Sequence, residues 1–196
     1  MDDYETCLKR FNDPLVCGFG LRVVQLAEDL DKCVEKNGPQ RCLDECLKSC
    51  RGENCDRVCL NAVDMAVARN IARTLAQGAV AAASETDLTV PEAVAVGFRI
   101  LMEESSDGDC FARLSSMRLL SFVAMDLKKL LGMQDMLLLM APALAIAYDC
   151  VGDEAFRFLN NIAITIGREM SEKIAAALRK GVVEIGRITI TFPPAR

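Results

Sequence analysis

Five cysteines fall between Cys42 and Cys59, in the run CLDECLKSCRGENCDRVC, at spacings of four, four, five and four. Side chains four apart share one face of a helix, so Cys42, Cys46 and Cys50 stack on one helix and Cys55 and Cys59 on the next. The intervening Arg51-Gly52-Glu53-Asn54 predicts a tight reversal. Folding there sets Cys50 opposite Cys55 and Cys46 opposite Cys59, which gives a helical hairpin stapled near its tip by two disulfides.

Metal binding would favour C-x2-C knuckles that bring two thiolates onto one ion, whereas this repeat is C-x3-C on helices. Iron-sulfur ligation favours C-x2-C steps, and dithiol catalysts use C-x-x-C; neither is present. Disulfides are therefore expected, with no metal and no cofactor. Twin C-x3-C segments on a helical hairpin resemble, in outline, the small chaperones of the mitochondrial intermembrane space and the plant hairpin peptides. That resemblance covers only Cys46 to Cys59 and carries no activity over. Beyond the hairpin, Cys33 is expected to pair with Cys42 across the Asn37-Gly38-Pro39 turn, and Cys110 with Cys150 between two core helices. Cys7 and Cys17 either pair with each other or pin the N-terminal arm to the hairpin.

The chain holds ten cysteines in 196 residues, although mesophilic cytosol keeps thiols reduced. The start, MDDYETCLKRFNDP, lacks the basic lead and apolar core of a secretory signal. The expected setting is cytoplasmic or within a virion, in the disulfide-permissive cytoplasm of a hyperthermophile. A mature chain whose signal has been removed, or metal-bound thiols, are the alternatives.

Histidine is absent. No Ser-His-Asp or Cys-His system and no His-ligated zinc or haem can be built within this sequence. No GxxxxGK[ST], GxGxxG or GxSxG string occurs. No enzyme activity and no small-molecule substrate is expected. Hydrophobic residues make up 52% of the chain, yet aromatics only 5% and tryptophan none, so the core must be built of Ala, Val, Leu, Ile and Met. Such a mix favours close-packed helices.

In chain order, residues 1–19 read as an irregular lead, broken at Pro14, Gly18 and Gly20. Helices are predicted over Leu21–Glu35, Gln40–Cys50 and from Asn54 into the alanines at 79–83. Another opens at Thr89 with Pro91 and Glu92 in its first turn, and Cys110–Leu131 follows, closed by Gly132. Gln134–Tyr148 contains the most apolar stretch; it is too short to span a bilayer and holds Pro142, so a buried core helix is expected. A long helix from Gly152 to Lys180, closed by Gly181, completes the helical part.

The period then changes. In Arg187–Phe192 apolar and polar residues alternate, a strand with Ile188, Ile190 and Phe192 on one face. Either Val182–Ile185 folds back against it, or it joins a strand of another copy and serves assembly. Net charge is −5, so the whole molecule is no generic nucleic-acid binder. Arg157, Arg168 and Arg179, eleven residues apart, would line one face of the last helix, and Arg69 and Arg73 pair on an earlier one. These are candidate phosphate contacts, against the plainer alternative of solvated faces paired with Glu154, Glu169 and Glu172.

The expected architecture is an all-α helical bundle, with a cysteine-rich hairpin region over 1–60, a helical core over 61–181 and a C-terminal strand or arm over 182–196. The leading functional reading is a non-enzymatic, self-assembling structural protein, such as a coat or nucleoprotein subunit of a hyperthermophilic archaeal system. Its partner is then a copy of itself, with nucleic acid second. A thiol-redox or metal-binding protein using Cys46, Cys50, Cys55 and Cys59 is one alternative. A small helical scaffold subunit for a protein or nucleic acid is the other.

Overall fold

The computed structural model describes residues 5, 8, 9 and 14–196. The fold is all-α with a C-terminal β-hairpin: α1 (Pro14–Asn37), α2 (Pro39–Ser49), α3 (Cys55–Glu85), α4 (Val90–Ser105), α5 (Cys110–Leu131), a 3-10 helix (Gln134–Leu139), α6 (Met140–Ala145), α7 (Tyr148–Val151), α8 (Glu154–Ile166), α9 (Arg168–Lys180), β1 (Val182–Ile185) and β2 (Ile188–Thr191). Two compact units are formed, Met1–Asn70 and Ile71–Arg196, and the division falls inside α3.

In the first unit, α1 and α3 pack through Val23, Ala27, Val58 and Ala62, with Leu26, Leu30 and Met65 at the margin. A second cluster of Val34, Cys42, Val63 and Ala66 brings in α2. The apolar residues of α1 recur at three and four, as a helix buried along one stripe requires. Disulfides tie each junction: Cys33–Cys42 joins α1 to α2, Cys46–Cys59 joins α2 to α3, and Cys50–Cys55 closes the reversal between them. The stapled element is thus a three-helix unit, larger than a hairpin. The irregular lead expected over residues 1–19 is corrected from Pro14 onward. Proline fits a first helical turn, where its missing N–H costs nothing, and α1 runs through Gly18 and Gly20. The loss of about 1 kcal/mol for each glycine relative to alanine is offset by burial of Cys17, Val23 and Ala27 along the same helix. The expected Cys7–Cys17 pairing lies outside the described residues, because Cys7 does.

In the second unit α5 packs on the 3-10 helix and α6, and α9 packs on α8 and α6. Phe98, Leu127, Met136, Leu137, Leu139, Met140, Leu144, Leu159, Ile174 and Leu178 are fully buried. Two expectations are corrected here. The single core helix over Gln134–Tyr148 is replaced by the 3-10 helix, α6 and α7. A continuous α-helix would require an N–H at Pro142 for the carbonyl of Leu138, and proline has none; placed in the first turn of α6, it is tolerated. The burial is as expected, and among the described residues no helix is long and apolar enough to cross a membrane. The long helix from Gly152 to Lys180 is split at Gly167, whose φ of 90° and ψ of 149° belong to no helix. Gly167 ends α8, donating its N–H to Ala163 O at 2.8 Å, and opens α9, where Ser171 N–H donates to its carbonyl at 3.0 Å.

The C-terminal strand pairs within the chain. β1 and β2 are antiparallel in the register Val182↔Thr191, Val183↔Ile190, Glu184↔Thr189 and Ile185↔Ile188. Gly186 and Arg187 form the two-residue turn, with φ of 56° at Gly186, the conformation such a turn demands. Ile190 is buried with Val183 and Ile185, while Ile188 and Phe192 are half-buried. The tail continues the pairing: Phe192 N–H donates to Gly181 O and Ala195 N–H to Leu178 O, each at 2.9 Å.

The turn is clamped to α4. Thr89 and Glu92 form a reciprocal cap, the Thr89 hydroxyl accepting from Glu92 N–H and the Glu92 carboxylate from Thr89 N–H. That carboxylate, on a residue only 4% exposed, also accepts from Arg187 N–H at 3.1 Å, Nε at 3.2 Å and Nη2 at 3.0 Å. Arg187 reaches Asp87 as well. The Arg187 side chain, followed by the backbone N–H groups of Arg187 and Thr89, holds the Glu92 carboxyl down to about 2.

Candidate functional site

The densest chemistry gathers where α5 begins. Asp109 caps the helix, its carboxylate accepting from Ala112 N–H at 2.9 Å, and so sets Cys110, Phe111 and Arg113 in the opening turn. Cys110 is bonded to Cys150 in α7. The bridge brings α7 against Arg113, whose side chain is only 20% exposed. Its Nη1 donates to both Asp149 carboxylate oxygens, at 2.7 and 2.9 Å. Its Nη2 donates to Cys150 Sγ at 2.9 Å and lies 3.5 Å from Cys110 Sγ, while its Nε is buried without a partner. The guanidinium beside Asp149 lowers that carboxyl below its ordinary range, chiefly through the hydrogen bond.

An open cavity of about 520 Å3 adjoins this cluster, within the range of ligand pockets. Met102, Pro142, Ile146, Phe192, Pro193 and Pro194 make most of its wall apolar, and Ser106, Arg113, Tyr148 and Asp149 place polar groups at its edge. Tyr148 donates its hydroxyl to Arg196 O at 2.9 Å, fixing the tail across the cavity. Its ring meets Phe156 edge-on at 6.0 Å. Beside all this Phe111 is 80% exposed, an aromatic ring held out in water.

A second guanidinium and disulfide meet in the first unit. Arg22 Nη2 donates to Cys50 Sγ at 3.1 Å and lies 3.9 Å from Cys55 Sγ. Here the fork is mostly occupied by main chain, Nη2 donating to Arg51 O at 2.6 Å and Nη1 to Glu53 O at 3.2 Å. It therefore braces the reversal of residues 51–54. With Cys46, Cys50, Cys55 and Cys59 all in disulfides, none offers a thiolate to an ion. Among the described residues no cysteine is free, and no group of three or more His, Cys, Asp or Glu is arranged to hold a metal.

The candidate phosphate contacts are dispersed. The break at Gly167 puts Arg157 on α8 and Arg168 and Arg179 on α9, so the three do not follow one straight helix face. Arg157 is paired with Glu154, Arg168 with Glu172 at 3.0 Å, and Arg179 lies over the Phe156 ring at 4.8 Å. Arg69 and Arg73 are half-buried on α3. Of the candidate assembly residues, Phe192 lines the cavity, whereas Ile190 is spent in the core.

Sequence reasoning missed Arg113, Asp149 and Phe111, and saw Glu92 only as part of a helix start, not as the partner of Arg187. Arg113 carries a faint signal, standing three residues after Cys110 on one helix face. Comparison with protein-family models, curated proteins and solved structures found no match.

Proposed function

We propose that this chain is a non-enzymatic structural subunit that associates with copies of itself, the Phe111 ring of one copy seating in the apolar cavity of another. One juxtaposition carries the reading: an aromatic anchor 80% exposed stands two residues from Arg113, which lines an open cavity of about 520 Å3. Aromatic anchors that fill pockets contribute most of the energy of a typical interface, and burial of a phenyl side chain is worth about 1.5–3 kcal/mol. Phe111 stands on α5 beside Arg113 at the cavity's edge, so anchor and cavity lie close enough on one surface for a two-fold contact in which each copy gives and receives one ring. Strand exchange is not needed for it, since β2 is already paired inside the chain.

The finer setting of the proposal is a coat or nucleoprotein subunit in a disulfide-permissive, hyperthermophilic archaeal system, in a virion or cytoplasm. The disulfides of both units support the redox part of that setting. A nucleoprotein role requires nucleic acid that co-purifies and is released by salt with a steep logarithmic slope.

Sedimentation tests the association. The full chain is expected to sediment as an oligomer that Phe111→Asp converts to a monomer with unchanged helical content. A full chain that stays monomeric at the highest attainable concentration, or a Phe111→Asp chain that still associates, overturns the reading.

A further inference from the structure

The four defined disulfides differ in what an attacking thiol would meet. Cys46–Cys59 is closed to solvent, at 4% and 0% exposure. Cys33–Cys42 has one fully buried partner, and Cys33 Sγ lies 3.7 Å from the Glu45 carboxylate, a charge that repels both an incoming and a departing thiolate. Cys50–Cys55 is half-buried at both ends, and its guanidinium is committed to two carbonyls. Cys110–Cys150 alone joins an exposed sulfur residue to a partner whose own sulfur receives a close charged hydrogen bond, 2.9 Å from Arg113.

We propose that Cys110–Cys150 is a thiol-exchange site, at which a small monothiol attacks Cys110 and Arg113 receives Cys150 as the leaving thiolate. The incoming thiolate, its proton already lost to solvent, forms a new bond to Cys110 Sγ. The electron pair of the Cys110–Cys150 bond departs on Cys150 Sγ, where the guanidinium stabilises it. The exchange conserves electrons: one disulfide and one thiolate become a mixed disulfide and another thiolate. Lowering the pKa of the leaving thiol speeds the step, and a neighbouring arginine does this. Attack in the other sense, on Cys150, meets a half-buried sulfur and expels a thiolate farther from the charge. Arg113 thus decides both the rate and which cysteine carries the adduct. Asp149 competes with the departing sulfur for the same fork, so it restrains the exchange.

Differential labelling tests this on the intact chain. Protein is held with glutathione under native conditions, quenched in acid, alkylated with iodoacetamide and mapped by peptide mass spectrometry. Cys110–Cys150 is expected to open first, with glutathione on Cys110 and the alkyl label on Cys150. Arg113→Gln should slow the opening about tenfold, since charged hydrogen bonds are about twice as strong as neutral ones; Arg113→Lys should restore part of the rate, and Asp149→Asn should raise it. Mere loosening of the fold would speed opening in both the Arg113→Gln and Asp149→Asn chains, so their opposite signs separate thiolate stabilisation from a structural role. Earlier opening of any other bridge, glutathione on Cys150, or equal rates in the wild-type and Arg113→Gln chains would overturn the proposal. Repeating the measurement on Phe111→Ala, which adds no charge beside Cys110, keeps it independent of self-association.

Discussion

Replacing both Cys110 and Cys150 by serine removes the covalent tie between α5 and α7 while leaving every other residue of the two helices unchanged. The bridge spans a separation of 40 residues, and closing a loop of that length lowers the entropy of the unfolded chain by about 13 cal/mol/K, or about 4 kcal/mol at room temperature. The same relation for Cys50–Cys55, with a separation of 5 residues, comes to about 2 kcal/mol. Losing the longer bridge should therefore cost about twice as much, even though the shorter one lies in the denser cysteine cluster. Tyr148 neighbours Cys150 and its hydroxyl is bonded to the tail, so with Tyr4, the other tyrosine, replaced by phenylalanine, tyrosine fluorescence in urea follows the second unit. With a dependence of about 2 kcal/mol per molar urea, the midpoint of the double-serine chain should fall by about 2 M. A fall of only a few tenths of a molar would refute the loop-entropy account and assign the stability of this unit to packing alone.

Glu92 makes a pH prediction. Its carboxyl is held down to about 2 in the folded chain, so the unfolded chain binds the proton first. The Glu92 clamp contributes its full stability above the ordinary carboxylate range and loses it as pH falls towards 2. Glu92→Gln should flatten acid unfolding followed by circular dichroism over that window; equal slopes in both chains would rule the clamp out. Gly186→Ala should destabilise by about 1–3 kcal/mol, because φ is 56° there and the added Cβ would lie 2.6 Å from Glu92 Oε1. A melting temperature unchanged by that substitution would contradict the turn geometry.

Features decided over a few residues were legible in the sequence. Thr89 and Glu92 announce a helix start because a capping box is closed by groups three residues apart. Cys46 and Cys50 could be set opposite Cys59 and Cys55 because the helical repeat and one short reversal bring them face to face, whereas spacing alone left the other pairings open. The alternation of Arg187–Phe192 likewise announced a strand, and its partner Val182–Ile185 lay one short turn away.

Contacts made across long separations were not legible. Arg187 meets Glu92 from 95 residues away, and nothing local to either marks the pairing. Gly167 offered no sign that it would break a helix, since an isolated glycine is tolerated in one; packing of α8 and α9 decided it. The helical repeat over 134–148 did not expose the 3-10 helix either, although Pro142 marks where a continuous α-helix loses a hydrogen bond. Local hydrogen bonding and covalent spacing thus sufficed for the elements and their staples. The cavity and the guanidinium poised over Cys150 exist only once distant segments have been buried together, because burial is a property of the whole arrangement and of no single stretch.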